Sequence, residues 1–425
     1  MDSVRRRMST RVEADVLIPG AGDPIVNGCV VFDGPTISYA GPIEGSPSAS
    51  TSEQTLNVPS VLPGLWDTHS HFFGLRTLSV EEQVYTSQWV GIVRAARDAE
   101  KVLRAGFTSI RELGGYGVYL ARAVDDGSIV GPHIYGAGTM LSPTGGHGDD
   151  HSFPLEFAHF WKNRLELPGP CDGVPACLEA VRKILRLGAP VVKICASGGV
   201  LSDRDSPIHQ QFSDEELRAI VSEAGRADRL VAAHCHGKAG ILAALRAGVK
   251  TIEHGSYLDE ECADLMLEQG ATLVPTRWIV TQLVKSKGSG IPEFMLEKAR
   301  KMVDRHREAL RLAVRKKVPI ALGTDTVGSS EAAPVYWGGN GHEFPLLVDD
   351  GGMTPLQAIQ AGTANGPSTL GPRAPMSGQL RAGYAADLIV VKENPLKRIG
   401  VLAEPDSITR VWKSGQLVVE RPTPG

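Results

Sequence analysis

The sequence predicts an α/β protein, a (β/α)8 barrel of the TIM type that carries a small discontinuous β-sandwich domain built from both chain ends. Three observations predict it. Through the middle of the chain, short apolar runs close on a histidine, lysine or aspartate, as in Val231-Ala232-Ala233-His234 and Ile320-Ala321-Leu322-Gly323-Thr324-Asp325. Helical patterns alternate with these runs, and strand, helix, strand is the repeating unit of a parallel sheet. The two ends hold only short apolar segments broken by glycine and proline. A length of 425 residues suits one large barrel plus a smaller domain. The sandwich is assigned to residues 1–59 and 369–425, and the barrel to 60–368.

The N-terminal part supplies Ala14-Asp15-Val16-Leu17-Ile18, Gly28-Cys29-Val30-Val31-Phe32 and Thr36-Ile37-Ser38-Tyr39-Ala40, each too short for a helix and bounded by turn residues. Similar segments recur near the C-terminus, in Ala386-Asp387-Leu388-Ile389-Val390-Val391 and over residues 408–418. Neither end has enough strands to bury a face alone, so the two are predicted to pair.

Between them, the run from Leu62 to His71 breaks at Pro63-Gly64 and resumes with Leu65-Trp66-Asp67-Thr68-His69-Ser70-His71. Residues two apart on a strand share a face, so both imidazoles can reach one metal ion from a single strand end. Lys193, His234, His254 and Asp325 each follow a short apolar run and precede a glycine or a small polar turn. In a barrel of parallel strands that is where the catalytic face lies. Residues 214–221 read as a helix with Ser213 as N-cap and Glu216 in the capping-box position. Residues 240–248 read as a second helix ended by a glycine, and 293–317 as a third whose arginines and lysines form a solvated face. The stretch from Pro154 to Pro175, with Phe157, Phe160 and Trp161, is longer than a usual connection and reads as a lid or an oligomer arm.

A net charge of −4 gives no footprint for nucleic acid or an acidic membrane surface, which leaves a small-molecule substrate as the expected partner. Arg5-Arg6-Arg7 reads as a solvated tail. No run approaches the roughly 18 apolar residues of a membrane span, and no apolar core follows the arginines as a signal peptide requires. A cytoplasmic location is therefore expected. The six cysteines show no C-x-x-C spacing and read as reduced thiols, Cys171 and Cys177 included.

Taken in order, these motifs resemble the metal-dependent amidohydrolase superfamily, in its branch of Xaa-Pro dipeptidases, imidazolonepropionase-like proteins and ochratoxin-hydrolysing amidohydrolases. The resemblance rests on the segment from Pro63 to His71, on Lys193 with Ser197-Gly198-Gly199-Val200, on Ala233-His234-Cys235-His236-Gly237, on Glu253-His254-Gly255, on Gly323-Thr324-Asp325-Thr326 and on the segment from Gly383 to Val390. It implies two divalent ions, zinc by expectation, bridged by an N6-carboxylated Lys193. His69, His71 and Asp325 would complete one metal site, and His234 with His254 the other. The carbamate also removes a physical oddity, because a bare lysine cation among Val191, Val192 and Ile194 is costly to bury.

By the same resemblance, a hydroxide shared by the two ions attacks an amide carbonyl, and Asp325 takes its proton and delivers it to the leaving nitrogen. The implied substrates are amides of an amino acid or amino-acid-like acid: dipeptides, N-acyl amino acids or ochratoxin-type amides. His147, in the glycine-rich run from Ser142 to Gly148, corresponds to the loop histidine offered to the scissile carbonyl or the substrate carboxylate. His236 shares a strand face with His234 and is expected in the same cavity. His151, Tyr116 and Arg277 complete the expected substrate pocket, and His133, His159, His209, His306 and His342 are read as non-ligands. Related enzymes form homo-oligomers, and the same is expected here. The alternatives are an esterase, lactonase or phosphotriesterase on the same scaffold, or a barrel that has lost its metal and its catalysis. Lys193 argues against the mononuclear deaminases, and none of the six implied ligands is missing.

Overall fold

The structure, a computed structural model, describes residues 9–49, 53–79, 82–149, 151, 153–157, 167–286 and 291–422. The Arg5 to Arg7 cluster, His159, Phe160 and Trp161 lie outside the described residues. The chain ends contribute β1 (Thr10–Leu17), β2 (Ile25–Asp33), β3 (Thr36–Pro42) and β4 (Gln54–Pro63). The interior of the chain gives β5 (Leu65–Leu75), β6 (Phe107–Glu112), β7 (His133–Gly136), β8 (Met140–Leu141), β9 (Val192–Cys195), β10 (Val231–Cys235), β11 (Thr251–His254), β12 (Thr272–Val274) and β13 (Thr326–Gly328). The C-terminal end returns with β14 (Leu388–Val391), β15 (Ile408–Lys413) and β16 (Gln416–Glu420).

Both ends enter one seven-stranded sheet in the order β16-β15-β14-β4-β1-β2-β3. The seam between them is the antiparallel pair β14 and β4, with Leu388 opposite Pro63. Phe32 on β2 and Trp412 on β15 meet edge to face with ring centroids 6.0 Å apart. Four strand spacings separate those two strands, roughly 19 Å in a flat sheet. The sheet therefore curls until its halves touch, enclosing Val12, Val30, Val61, Leu388 and Val390.

The interior strands form two parallel sheets, β13-β5-β6-β7 and β12-β11-β10-β9-β8. A chain connection and a few backbone contacts link them. On one side the chain passes from β7 to β8 within four residues, and β8 pairs with β9. On the other, Leu273 of β12 bridges Ile320, while Thr68 N of β5 donates to Leu322 O at 2.8 Å. The strands are buried on both faces, as parallel strands covered by helices are; every residue of β6, β9, β10 and β11 is buried.

Helices alternate with these strands. The helix Asp214–Gly225 opens with a full capping box, Ser213 accepting from Glu216 N while Glu216 accepts from Ser213 N. The helix Lys238–Ala247 stops at Gly248, whose φ of 99° only glycine adopts without strain. The helix Glu293–Lys316 buries Met295, Leu296, Ala299 and Met302 along one stripe and turns its arginines outward. The run from Ile320 to Asp325 differs from the predicted strand: Asp325 has a left-handed φ of 57°, and regular pairing resumes only at Thr326. All six cysteines are buried, with no disulfide among the described residues; the Cys171 and Cys177 sulfurs stand 3.9 Å apart as thiols. Among the described residues no helix is long and apolar enough to cross a membrane.

Candidate metal centre and substrate cavity

The strand pleat carries His69 and His71 to one face of β5, and the bend before β13 brings Asp325 to them. Asp325 Oδ1 lies 3.1 Å from His71 Nε2 and 3.5 Å from His69 Nε2. Two backbone N–H groups, of Thr324 and Asp325, donate to His69 O at 3.1 and 2.7 Å and hold the bend against the strand. On the opposite sheet, His234, His236 and His254 bring one donor atom each to within 4.8 Å of one another, as His69, His71 and Asp325 do. His254 and Asp325 both adopt a positive φ, a conformation uncommon outside glycine and concentrated at functional sites.

The ring nitrogens turned away from the cavity are each fixed by an acceptor or a hydroxyl. His71 Nδ1 donates to Gly114 O at 2.8 Å, and His234 Nε2 to Gly198 O at 3.1 Å. His69 Nδ1 donates to Glu253 Oε2 at 2.8 Å. His254 Nδ1 lies 2.7 Å from Thr276 Oγ1, and His236 Nδ1 lies 2.8 Å from Ser256 Oγ. Carbonyls and carboxylates only accept, so neutral His69 carries its hydrogen on Nδ1 and neutral His234 on Nε2, which leaves each a lone pair on the opposite nitrogen, as metal ligands have.

Burial pushes the His69 imidazole down to about 4 and His236 to about 3, and holds His234 and His254 well below the ordinary histidine range. All four are neutral at physiological pH, the form that binds a metal. Burial would raise the Asp325 carboxyl, but His69, His71 and Lys193 outweigh it and hold it down. Lys193 Nζ is 1% exposed and has no hydrogen-bond partner among the described residues. Burial lowers its affinity for a proton. A buried amine without a partner, lining the same cavity as the two donor groups and with its hold on a proton weakened, suits carboxylation, since only the free amine adds carbon dioxide. The donor sets and this amine together fit a pair of divalent ions.

A buried network behind the ligands escaped the sequence reading. Glu253 Oε1 accepts from Arg111 Nη2 and Thr251 Oγ1, each at 2.7 Å, and Arg111 Nε donates to Thr68 O at 2.6 Å. Burial would raise the Glu253 carboxyl, yet Arg111 and His69 bring it down to about 2. Asp67 accepts from His69 N, Thr324 N, Thr324 Oγ1 and Asn340 Nδ2, with burial raising it to about 6. Glu253 and Asp67 were visible as neighbours of the histidines. Nothing in the sequence marked Arg111 or Asn340.

Above the donors lies a cavity of about 220 Å³. Lys193, His236, His147, His151 and Tyr116 line it, with apolar walls from Phe73, Leu78, Ile279, Phe294 and Met295. Arg277 does not belong there. Its guanidinium is turned away, donating to Asp350 Oδ2 at 2.9 and 2.6 Å and to Val303 O at 2.9 Å, so its buried charge is already satisfied elsewhere. His133, His209, His306 and His342 stand outside both donor groups.

Imidazole and carboxylate donors at the ends of parallel strands, facing an apolar cavity, define an enzyme of the α/β class with candidate metal-binding groups. Residues 60–418 match the model of the amidohydrolase family, and the chain belongs to that family. It is 42% identical over 427 residues to ochratoxinase of Aspergillus niger, covering 96% of this chain and 86% of that protein. It is 26% identical to an imidazolonepropionase of Streptomyces griseus, over 94% of this chain and 95% of the other. The crystal structure of A. niger ochratoxinase superposes with a TM-score of 0.88 at 41% identity, over 97% of this chain and 96% of that one. A Xaa-Pro dipeptidase with methionine in its active site gives a TM-score of 0.86 at 32% identity, over 97% and 100%. This chain is a hydrolase of the same family.

Proposed function

We propose that this chain is a binuclear metal-dependent amidohydrolase that cleaves the C–N amide bond to an amino acid or amino-acid-like acid. The observation that carries the reading is the pair of three-donor groups that line one cavity with Lys193, a buried amine without a hydrogen-bond partner among the described residues. In this reading His69, His71 and Asp325 would hold one ion, His234 and His254 would hold the other, and N6-carboxylated Lys193 would supply a ligand to both, with zinc as the metal. When bound, such a pair polarises a carbonyl and lowers the pKa of water to about 7. Asp325, whose Oδ1 lies 3.1 Å from His71 Nε2 and 3.5 Å from His69 Nε2, accepts a proton at its carboxylate and returns it to the leaving nitrogen, without which an amine leaves poorly. His147, with His236, His151 and Tyr116 around the cavity, binds and orients the substrate, and the apolar walls exclude water and hold its hydrocarbon part. The likeness to a protein named ochratoxinase and to a Xaa-Pro dipeptidase supports this substrate class.

The same reading takes the two parallel sheets as one (β/α)8 barrel over residues 60–368, supported by the Leu273 to Ile320 bridge, and the terminal sheet as a β-sandwich from 1–59 and 369–425, supported by the contact of Phe32 with Trp412. It places the protein in the cytoplasm as a homo-oligomer that binds neither nucleic acid nor membrane. The test is hydrolysis of N-acyl amino acids, Xaa-Pro dipeptides and ochratoxin A, followed by chromatography, on protein of known metal content and on a chelated control. Chelator-sensitive release of a free amino acid, with about two metals per chain, is the expected result. Two metals without amide cleavage would redirect the reading to esters, lactones or phosphotriesters, and a metal-free, inactive protein would mark a scaffold.

A further inference from the structure

His147 reaches the cavity from the loop after β8, its ring stacked on His234 with centroids 4.2 Å apart. Its Nδ1 lies 2.8 Å from Ser202 Oγ, and that hydroxyl lies 2.6 Å from Asp205 Oδ1. Among the described residues only donors surround the Asp205 carboxylate. Lys298 Nζ reaches Oδ1 at 3.1 Å beside the Ser202 hydroxyl, and Gly199 N and Gln211 Nε2 reach Oδ2 at 3.0 Å each. A carboxylate only accepts, so the Ser202 proton points to Asp205 and the Ser202 oxygen is left to accept from His147. The hydrogen of neutral His147 therefore sits on Nδ1, and the lone pair on Nε2. The reverse tautomer would draw the hydroxyl proton to Nδ1 and leave two oxygens 2.6 Å apart with no hydrogen between them.

The backbone of the same residue is tied to the same anchor. Gln211 Oε1 accepts from His147 N at 2.9 Å while its Nε2 donates to Asp205. Lys298 also donates to the carbonyls of Gly199, Ser202 and Asp205, which fixes the loop that carries the relay. His147 Nε2 has no partner among the described residues, so it is the ring atom left to meet a ligand.

We propose that Ser202 and Asp205 are positioning residues for substrate binding: the chain from Asp205 through Ser202 to His147 fixes the tautomer and orientation of His147 so that Nε2 faces the substrate. The inference rests on the substrate role given to His147 above. Its worth to the reaction lies in orientation, since a misplacement of about 1 Å at a reacting group costs roughly a hundredfold in rate.

Ser202→Ala removes the hydroxyl but keeps the carbonyl that accepts from Lys298, and Ser202→Thr restores the hydroxyl. Measured on the metal-loaded enzyme with whichever amide of the panel is turned over, Ser202→Ala should lower kcat/KM about 10 to 100-fold, and Ser202→Thr should recover to within about threefold of the parent. Metal content and thermal midpoint should be the same in all three. A second measurement needs no substrate: long-range 1H–15N spectra of histidine-labelled protein, with His147 assigned by its loss in His147→Gln. The parent and Ser202→Thr should show the Nδ1–H tautomer, and Ser202→Ala a mixture. A parent His147 protonated on Nε2 instead, or a Ser202→Ala enzyme as active as the parent, would overturn the proposal. A parent that binds no metal or cleaves no amide would be a failure of the functional reading, and the tautomer would then decide this inference alone.

Discussion

At the residue scale, each candidate ligand is useful only because a second atom holds it. Arg111 is the clearest case: neither it nor Glu253 has exposed side-chain surface, and their ion pair stands directly behind His69. Arg111→Met would leave the Glu253 carboxylate buried without its cation, at a cost of about 3 to 5 kcal/mol in urea unfolding. Combining Arg111→Met with Glu253→Gln removes both charges and should recover most of that loss. Asp325→Asn tests a different link. It keeps the shape of the side chain and abolishes its capacity to carry a proton, so turnover should fall about 10² to 10⁴-fold. Near-normal turnover with metals bound would show that Asp325 is not the proton carrier.

At the element scale, β5 decides the site. Its pleat puts His69 and His71 on one face, and parallel pairing with β6 sets Arg111 beside Thr68. The period of two was legible in the sequence because it is local. So was the capping box of the helix Asp214–Gly225, where sequence and structure agree atom for atom. Ser213→Ala should cost about 1 kcal/mol of stability by thermal or urea denaturation. Metal content should not change, because the helix supports the strands from outside. The strand expected up to Asp325 was less legible. Apolar residues forecast burial, but the left-handed turn at Asp325 is imposed by hydrogen bonds to His69 O across the neighbouring strand.

At the scale of the whole molecule, the cavity concentrates imidazoles that must stay neutral. His69 and His236 protonate only near 4 and 3 when folded, against an ordinary value of about 6.5 when unfolded. Below pH about 6.5 the unfolded chain therefore takes up protons that the folded chain refuses. The stability these groups supply is complete above that pH and is lost as pH falls towards 4. Each contributes a slope of about 1.4 kcal/mol per pH unit in that window. Urea midpoints of the metal-free protein should accordingly fall steeply between pH 7 and pH 5. A flat profile would mean that the histidines are more solvated than the fold implies.

What the sequence determined by itself was whatever depends on neighbours along the chain: the alternation of strand and helix, the β-rich ends, the histidine pair on β5 and the residue types at the strand ends. Those features were enough to point to the amidohydrolase family and to the residues from His69 to Asp325. Tertiary structure alone decided which polar groups meet across the molecule. Arg277 resembles a pocket residue in sequence but is neutralised by Asp350, 73 positions away. Ser202 and Asp205 resemble loop filler, yet converge on His147, 55 positions away from Ser202. The physical reason is the same in each case. A buried charge or hydrogen must find a partner, the partner is set by the packing of distant segments, and no local pattern records that choice.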